Sequence, residues 1–199
     1  MTRVLTVSLV ALALGGCATT ARVGPTEVVR YHLNQPIPPG SVAVEPAAAT
    51  ATISPEYRLY ADSVARELGR LGYTPLPAGA DAGGSQYVAA VGFQRTSKGT
   101  VRTPPKFSIG IGGGSFGGGG GVGGGLSTGI GSKTRDVLAS ELFVQLRRRS
   151  DGTIVWEGRA QNGGLSGEDT SQPVANADRL ARALFKAFPG ESGITTTVR

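Results

Sequence analysis

Few residues in this chain have a chemistry of their own. Cys17 is the one thiol, so no intramolecular disulfide forms, and a lone thiol needs another reason to exist. His32 is the one histidine. A serine–histidine relay or a histidine-bearing metal cluster therefore lacks its base or its ligand set. Carboxylates remain as candidate acids and bases: Glu141, Glu157, Glu168 and Asp169. Glu141 and Glu157 fall on outward positions of strands, and Glu168-Asp169 falls in a glycine-rich loop, so all four read as solvent charges. A glycosidase needs two carboxylates at a set separation, and nothing in the pattern imposes one. Gly119, Gly121 and Gly124 form a G-x-G-x-x-G, but it lies inside a glycine tract with no helical periodicity after it. Gly131-Ser132-Lys133-Thr134 misses a phosphate loop, because there the lysine must directly follow the glycine.

The neighbourhood of Cys17 is more specific. Arg3 supplies a positive start, Val4 to Leu14 runs without a charge, and Leu14-Gly15-Gly16 precede the cysteine. The run has the length of a secretion signal's apolar core and is too short to cross a bilayer core of roughly 30 Å. An aliphatic residue, two small residues and a cysteine resemble the lipobox of bacterial lipoproteins. That resemblance implies diacylglycerol on the Cys17 sulfur, cleavage after Gly16 and acylation of the new N-terminus. Two acyl chains suffice for stable anchoring, at about 0.8 kcal/mol per buried methylene. Ala18, where an aspartate would favour the inner membrane, implies the periplasmic face of a Gram-negative outer membrane. Residues 1–16 are thus expected to be the signal peptide, and 17–40 the lipidated terminus and tether. The tether's weak periodicity ends in Pro36, Pro38, Pro39 and Gly40.

A single domain is expected over 41–199. Ser41 to Glu45 alternates as a short strand. Ser54-Pro55-Glu56 caps a helix whose apolar face is Tyr57, Tyr60, Ala61, Val64, Leu68 and Leu71, with Gly72 ending it. Tyr73 to Leu76 reads as a short edge strand. Tyr87 to Arg95 is a strand with Tyr87, Ala89, Val91 and Phe93 on one face. Leu138, Leu142, Val144 and Leu146 lead into a Ser150-Asp151-Gly152 turn, and Ile154 and Trp156 carry the apolar face of the return strand. A second helix is expected from Pro173 to Phe188, with Val174, Ala177, Ala181, Leu184 and Phe188 inward and Pro189-Gly190 as its stop. The tail from Glu191 to Arg199 supplies a last edge strand. This order predicts an α+β fold, a mostly antiparallel sheet with two helices on one face, plus a glycine-rich hairpin or loop insert over 106–133.

Several of these segments resemble one family. Leu71-Gly72-Tyr73 at the end of the first helix, the Tyr87-Val88-Ala89 strand, the glycine-rich insert, the hairpin from Asp151 to Gly158 and the closing Phe188-Pro189-Gly190 are similar to the bacterial lipoproteins called domain of unknown function four-one-three-six. The likeness runs from Val42 to Phe188. The opening strand, Val44-Glu45-Pro46, is poorer in aromatics than that family's pattern. The resemblance implies an envelope lipoprotein and carries no catalytic residues.

The chain has 199 residues and a formal charge of +6, with a pI of about 9.9. An exported protein does not meet nucleic acid; the excess reads first as a device for solubility, and as a partner signal it points to anionic lipid or another envelope component. In the insert, Phe107, Ile109 and Ile111 alternate with small residues, while Lys98, Arg102, Lys106, Lys133 and Arg135 flank them. The insert reads first as a flexible, low-complexity loop, since ordering that much glycine is entropically costly; the sharper alternative is a glycine-rich hairpin whose basic feet and apolar tip suit a membrane surface or an envelope partner. The expected function is that of a non-enzymatic structural or adaptor lipoprotein, with no metal and no cofactor beyond the covalent lipid. Two readings stand beside it: a membrane-active or self-assembling lipoprotein using the glycine arm, and a periplasmic hydrolase.

Overall fold

The computed structural model describes residues 24–48, 53–77, 82–103, 107–110, 127–130, 133–168 and 171–199. Cys17, Gly16, Lys106, Ile111, Asp169 and most of the glycine tract lie outside them. The elements run β1 Thr26–His32, β2 Ser41–Pro46, α1 Pro55–Arg70, β3 Thr74–Pro75, β4 Tyr87–Thr103, β5 Phe107–Gly110, β6 Ser127–Ile130, β7 Lys133–Arg148, β8 Ile154–Leu165, α2 Pro173–Phe185 and β9 Thr196–Val198. Seven strands form one sheet in the order β3-β2-β4-β7-β8-β1-β9. The β2 strand is parallel to both of its neighbours, and the other pairings are antiparallel. The fold is α+β, as expected. The β5 and β6 strands pair separately, Phe107 opposite Ile130 and Ile109 opposite Thr128.

The local causes are those of the sequence pattern. Ser54 Oγ accepts the backbone N–H of Tyr57 at 3.0 Å, and Pro55 opens the helix where its missing N–H costs nothing. Gly72 takes a φ of +89°, the left-handed geometry that lets the chain leave α1. Tyr57, Tyr60, Val64 and Leu68 then face the sheet, with Tyr60 stacked on Phe93 at 4.6 Å. The α2 helix buries Ala177, Leu180, Ala181 and Leu184, and its Phe185 stacks on Trp156 at 5.3 Å. Trp156 is fully buried and donates its indole N–H to Pro189 O at 3.0 Å, a core role with its polar edge satisfied.

Several expectations need correction. The segment 17–40 is not a tether throughout: Thr26–His32 is β1, hydrogen-bonded between β8 and β9. Its inward residues are Thr26, Val28 and Arg30, and the charge at the third of these broke the apolar alternation. Ile154 does not join Trp156 on the core face and is 40% exposed. A bulge after Leu146 sets Trp156 opposite Leu146 but Ile154 opposite Arg147, so the face flips and Val155 is buried instead. Val174 is 55% exposed in the first turn of α2, where the buried stripe starts only at Asn176. That helix also ends at Phe185, because Lys186 and Ala187 leave helical backbone geometry before a cis Phe188–Pro189 bond. Phe188 still packs beside Trp156, at 5.3 Å. The edge strand expected over Tyr73–Leu76 shrinks to Thr74–Pro75. The strand expected over Tyr87–Arg95 instead continues to Thr103.

Candidate functional site

The long β4–β7 pair places most of the candidate residues that are described. From Tyr87 to Val91 β4 lies between β2 and β7, and from Gly92 to Ser97 it pairs, among the described residues, with β7. The register then slips between Ser97 and Thr100, and Thr100 to Thr103 pair only with Asp136 to Lys133. The β8 strand ends at Leu165, opposite Val137. Beyond that point, among the described residues, the sheet is a two-stranded ribbon. Lys98 is exposed at its base. Arg102 stands opposite Thr134, Lys133 opposite Thr103, and Arg135 opposite Val101. The sequence thus named residues that the fold gathers at one end of one sheet. Phe107 and Ile109 follow on β5.

The charge of the chain is concentrated here. Residues 82–135 hold six of the twenty Lys and Arg side chains and none of the fourteen Asp and Glu, so the remainder of the chain is balanced. Carboxylates border the ribbon without cancelling it. Glu168 lies 3.8 Å from Arg135, and Asp136 stands opposite Thr100.

Arg95 ties this end to both helices. Its Nη2 donates to Ser171 O at 2.8 Å, just ahead of α2, and its Nη1 lies 3.7 Å from Glu56 in the first turn of α1. The helices therefore run parallel, with both N-termini at the ribbon end. Tyr60 and Asn176 meet further along, where Asn162 Nδ2 donates to Asn176 Oδ1 at 2.9 Å and Asn176 Nδ2 donates to Tyr60 OH at 3.4 Å. Burial raises the Tyr60 phenol above its ordinary range, so it stays neutral within this network. One step on, Ser63 donates to Asp178 at 2.7 Å, and Arg66 forms an ion pair with the same carboxylate. Partial desolvation opposes ionisation of Asp178, but Ser63, Arg66 and the charge of Arg182 win and hold it below the usual carboxylate range.

The candidate acids and bases are spread out. Glu141 lies 3.5 Å from Arg159, and Glu157 accepts from Gln145 at 3.0 Å, both on the open face of the sheet. His32 Nε2 lies 3.0 Å from Gly190 O. Among the described residues no group of three His, Cys, Asp or Glu is placed to hold a metal ion, and no helix is long and apolar enough to cross a membrane.

Arg30 is the main residue that sequence reasoning missed. It is 4% exposed and sits at the C-terminal end of α2. Its Nε donates to Leu184 O at 2.8 Å, and its Nη2 donates to Ala183 O at 2.8 Å and to Lys186 O at 3.1 Å. A buried cation thereby answers the carbonyls and the negative pole of a helix end. Gly190, at φ +82°, lets the chain pass within contact of its side chain.

Residues 40–190 match the family model described as domain of unknown function (DUF4136). An uncharacterized protein of Zymomonas mobilis is 33% identical, over 88% of this chain and 80% of its own length. Among solved structures, a PelC dodecamer from Paraburkholderia phytofirmans is similar at a TM-score of 0.45 and 16% identity, covering 80% of this chain and 94% of that one. A PDZ domain protein from Parabacteroides distasonis is similar at a TM-score of 0.44 and 10% identity, covering 88% of this chain and 39% of that one.

Proposed function

Since the chain belongs to the DUF4136 family, whose description names no activity, we propose from its own residues that it is an envelope lipoprotein. In this reading Cys17 carries the lipid, the outer membrane holds it, and the α+β domain works in the periplasm as a non-enzymatic structural or adaptor module. The observation that carries the reading is the ordered set Arg3, Val4 to Leu14, Gly15-Gly16 and Cys17. Among the described residues, backbone pairing starts at Gly24, whose N–H donates to Gly163 O at 2.9 Å, so few residues separate Cys17 from the sheet. The correction of the tether therefore shortens the leash. A leash from Cys17 to Gly24 reaches at most roughly 23 Å at about 3.3 Å per residue. An adaptor held so close works near the membrane surface rather than deep in the periplasm.

Cys17→Ser tests the reading. The wild-type chain is expected in the outer-membrane fraction and extractable only by detergent, with the variant soluble or retained as uncleaved precursor. A variant that fractionates and matures as the wild type does would refute it. Crosslinking in intact cells, followed by isolation of the mature protein, then identifies the envelope component it joins.

A further inference from the structure

We propose that the ribbon end of the sheet faces an anionic phospholipid surface, so that the chain meets its membrane twice, through the lipid on Cys17 and through the cations of the ribbon. The inference rests on the lipid-anchored reading and adds an orientation to it. Three independent features of the fold point the same way.

The first is where the chain enters the sheet. Gly24 bonds to Gly163, Gly163 stands opposite Ala139, and Ala139 stands opposite Thr96. The anchor-bearing terminus therefore leaves the sheet level with the base of the ribbon, not at the far end where Leu33 and the Asp151-Gly152 turn lie. A fully extended leash of roughly 23 Å matches the seven-residue rise from the level of Thr96 to Thr103, itself roughly 23 Å at about 3.3 Å per residue. One plane can touch both.

The second is charge. The whole formal excess of the chain falls in residues 82–135, and Lys98, Arg102, Lys133 and Arg135 stand on the described part of the ribbon. Cations near an anionic leaflet are attracted within a Debye length of about 8–10 Å, and the spacing of the ribbon's two strands, about 4.8 Å, does not exceed it. Arg135 lies 3.8 Å from Glu168, Lys98 is exposed at the base, and Arg102 and Lys133 hold register positions on the ribbon. The positive poles of two parallel helices add to the same end.

The third is that, among the described residues, Thr100 to Thr103 pair with β7 and with no other strand. Thr100 and Val101 are exposed, Val101 to 41%. Two strands alone are marginal in water. An anionic surface would relieve the mutual repulsion of the cations that the ribbon carries.

Vesicle flotation of the mature chain from residue 17 onward, carrying Cys17→Ser so that no lipid anchors it, tests the inference. Vesicles of phosphatidylethanolamine with about one-third phosphatidylglycerol are expected to bind it, and phosphatidylcholine vesicles to leave it free. Each cation near such a surface is worth about fivefold in partitioning. Lys98→Gln/Arg102→Gln/Lys133→Gln is therefore expected to weaken binding about a hundredfold. Removing equal charge elsewhere, by Arg58→Gln/Arg70→Gln/Lys186→Gln, is expected to weaken it no more than a few-fold. Equal loss in the two triple variants, or wild-type binding to neutral vesicles as strong as to anionic ones, would overturn the proposal. Should the ribbon variant fail to fold by circular dichroism, wild-type binding that survives about 0.5 M salt overturns it instead. Because the assay uses unlipidated protein, its failure leaves the Cys17 reading standing, and an unlipidated native protein leaves the vesicle result standing.

Discussion

Replacing Arg30 by methionine keeps most of the side chain's length and apolar stem while deleting its guanidinium. Three backbone carbonyls, of Ala183, Leu184 and Lys186, then lose their donors at the buried end of α2. Hydrogen bonds from a charged donor are worth about 1.5–3 kcal/mol each, which for three bonds is roughly 4–9 kcal/mol gross. Against this, the wild-type chain desolvates a guanidinium with carbonyls rather than a carboxylate as partners, which costs several kcal/mol. Burial lowers the Arg30 pKa for the same reason. Losing a cation at the negative pole of α2 adds up to about 2 kcal/mol. The balance is a destabilisation of about 3–5 kcal/mol, within the range for breaking a buried charged network. Urea unfolding followed by far-UV circular dichroism measures it as a lower midpoint at unchanged slope. A loss under about 1 kcal/mol would mean that the carbonyls find other donors and that Arg30 does not fasten β1 to α2.

Four further outcomes follow from the same packing. A chain beginning at Ser41 lacks β1, which leaves β8 with an open edge and Arg30's carbonyls unanswered, so it is expected to show no cooperative unfolding transition in urea. Gly158→Val puts a side chain where a Cβ already falls 2.8 Å from both Leu184 Cδ1 and Trp156 Cη2, and overpacking there is expected to cost at least 1–3 kcal/mol by thermal unfolding. Asp178 has a folded pKa below its ordinary value, so its contribution is present above about pH 4 and fades as pH falls through the folded pKa. Asp178→Asn is expected to flatten stability against pH between about 5 and 3, and an unchanged slope would contradict the assignment. Tyr57 and Tyr73 are pushed up to about 12, chiefly by burial, so the stability they lend is full below pH 10 and is lost as pH rises through 12. Absorbance at 295 nm should show their ionisation arriving with alkaline unfolding rather than before it.

The helices and the central strands were readable because each obeys its period. Tyr57, Tyr60, Val64 and Leu68 repeat at helical spacing between a Ser-Pro cap and a glycine stop, and Ala89, Val91, Leu142, Val144 and Leu146 alternate cleanly. What escaped were places where one residue breaks a period for a tertiary reason. Arg30 occupies a core position of β1 because the end of α2 needs a donor there, and no local pattern announces that need. The bulge after Leu146 reverses the face of Ile154, and a one-residue slip leaves hydrophobicity unchanged along the chain. The ribbon was legible as a cluster of cations but not as a place, since only the pairing of β4 with β7 shows that it shares an end of the sheet with Gly24.

The most direct test of the central claim is the intact mass of the N-terminal peptide of the protein isolated from the membranes of cells that make it. The account predicts that this peptide begins at Cys17 and carries both a diacylglycerol thioether and an N-acyl chain. A peptide that begins elsewhere, or that begins at Cys17 with a free thiol and a free amine, would contradict it.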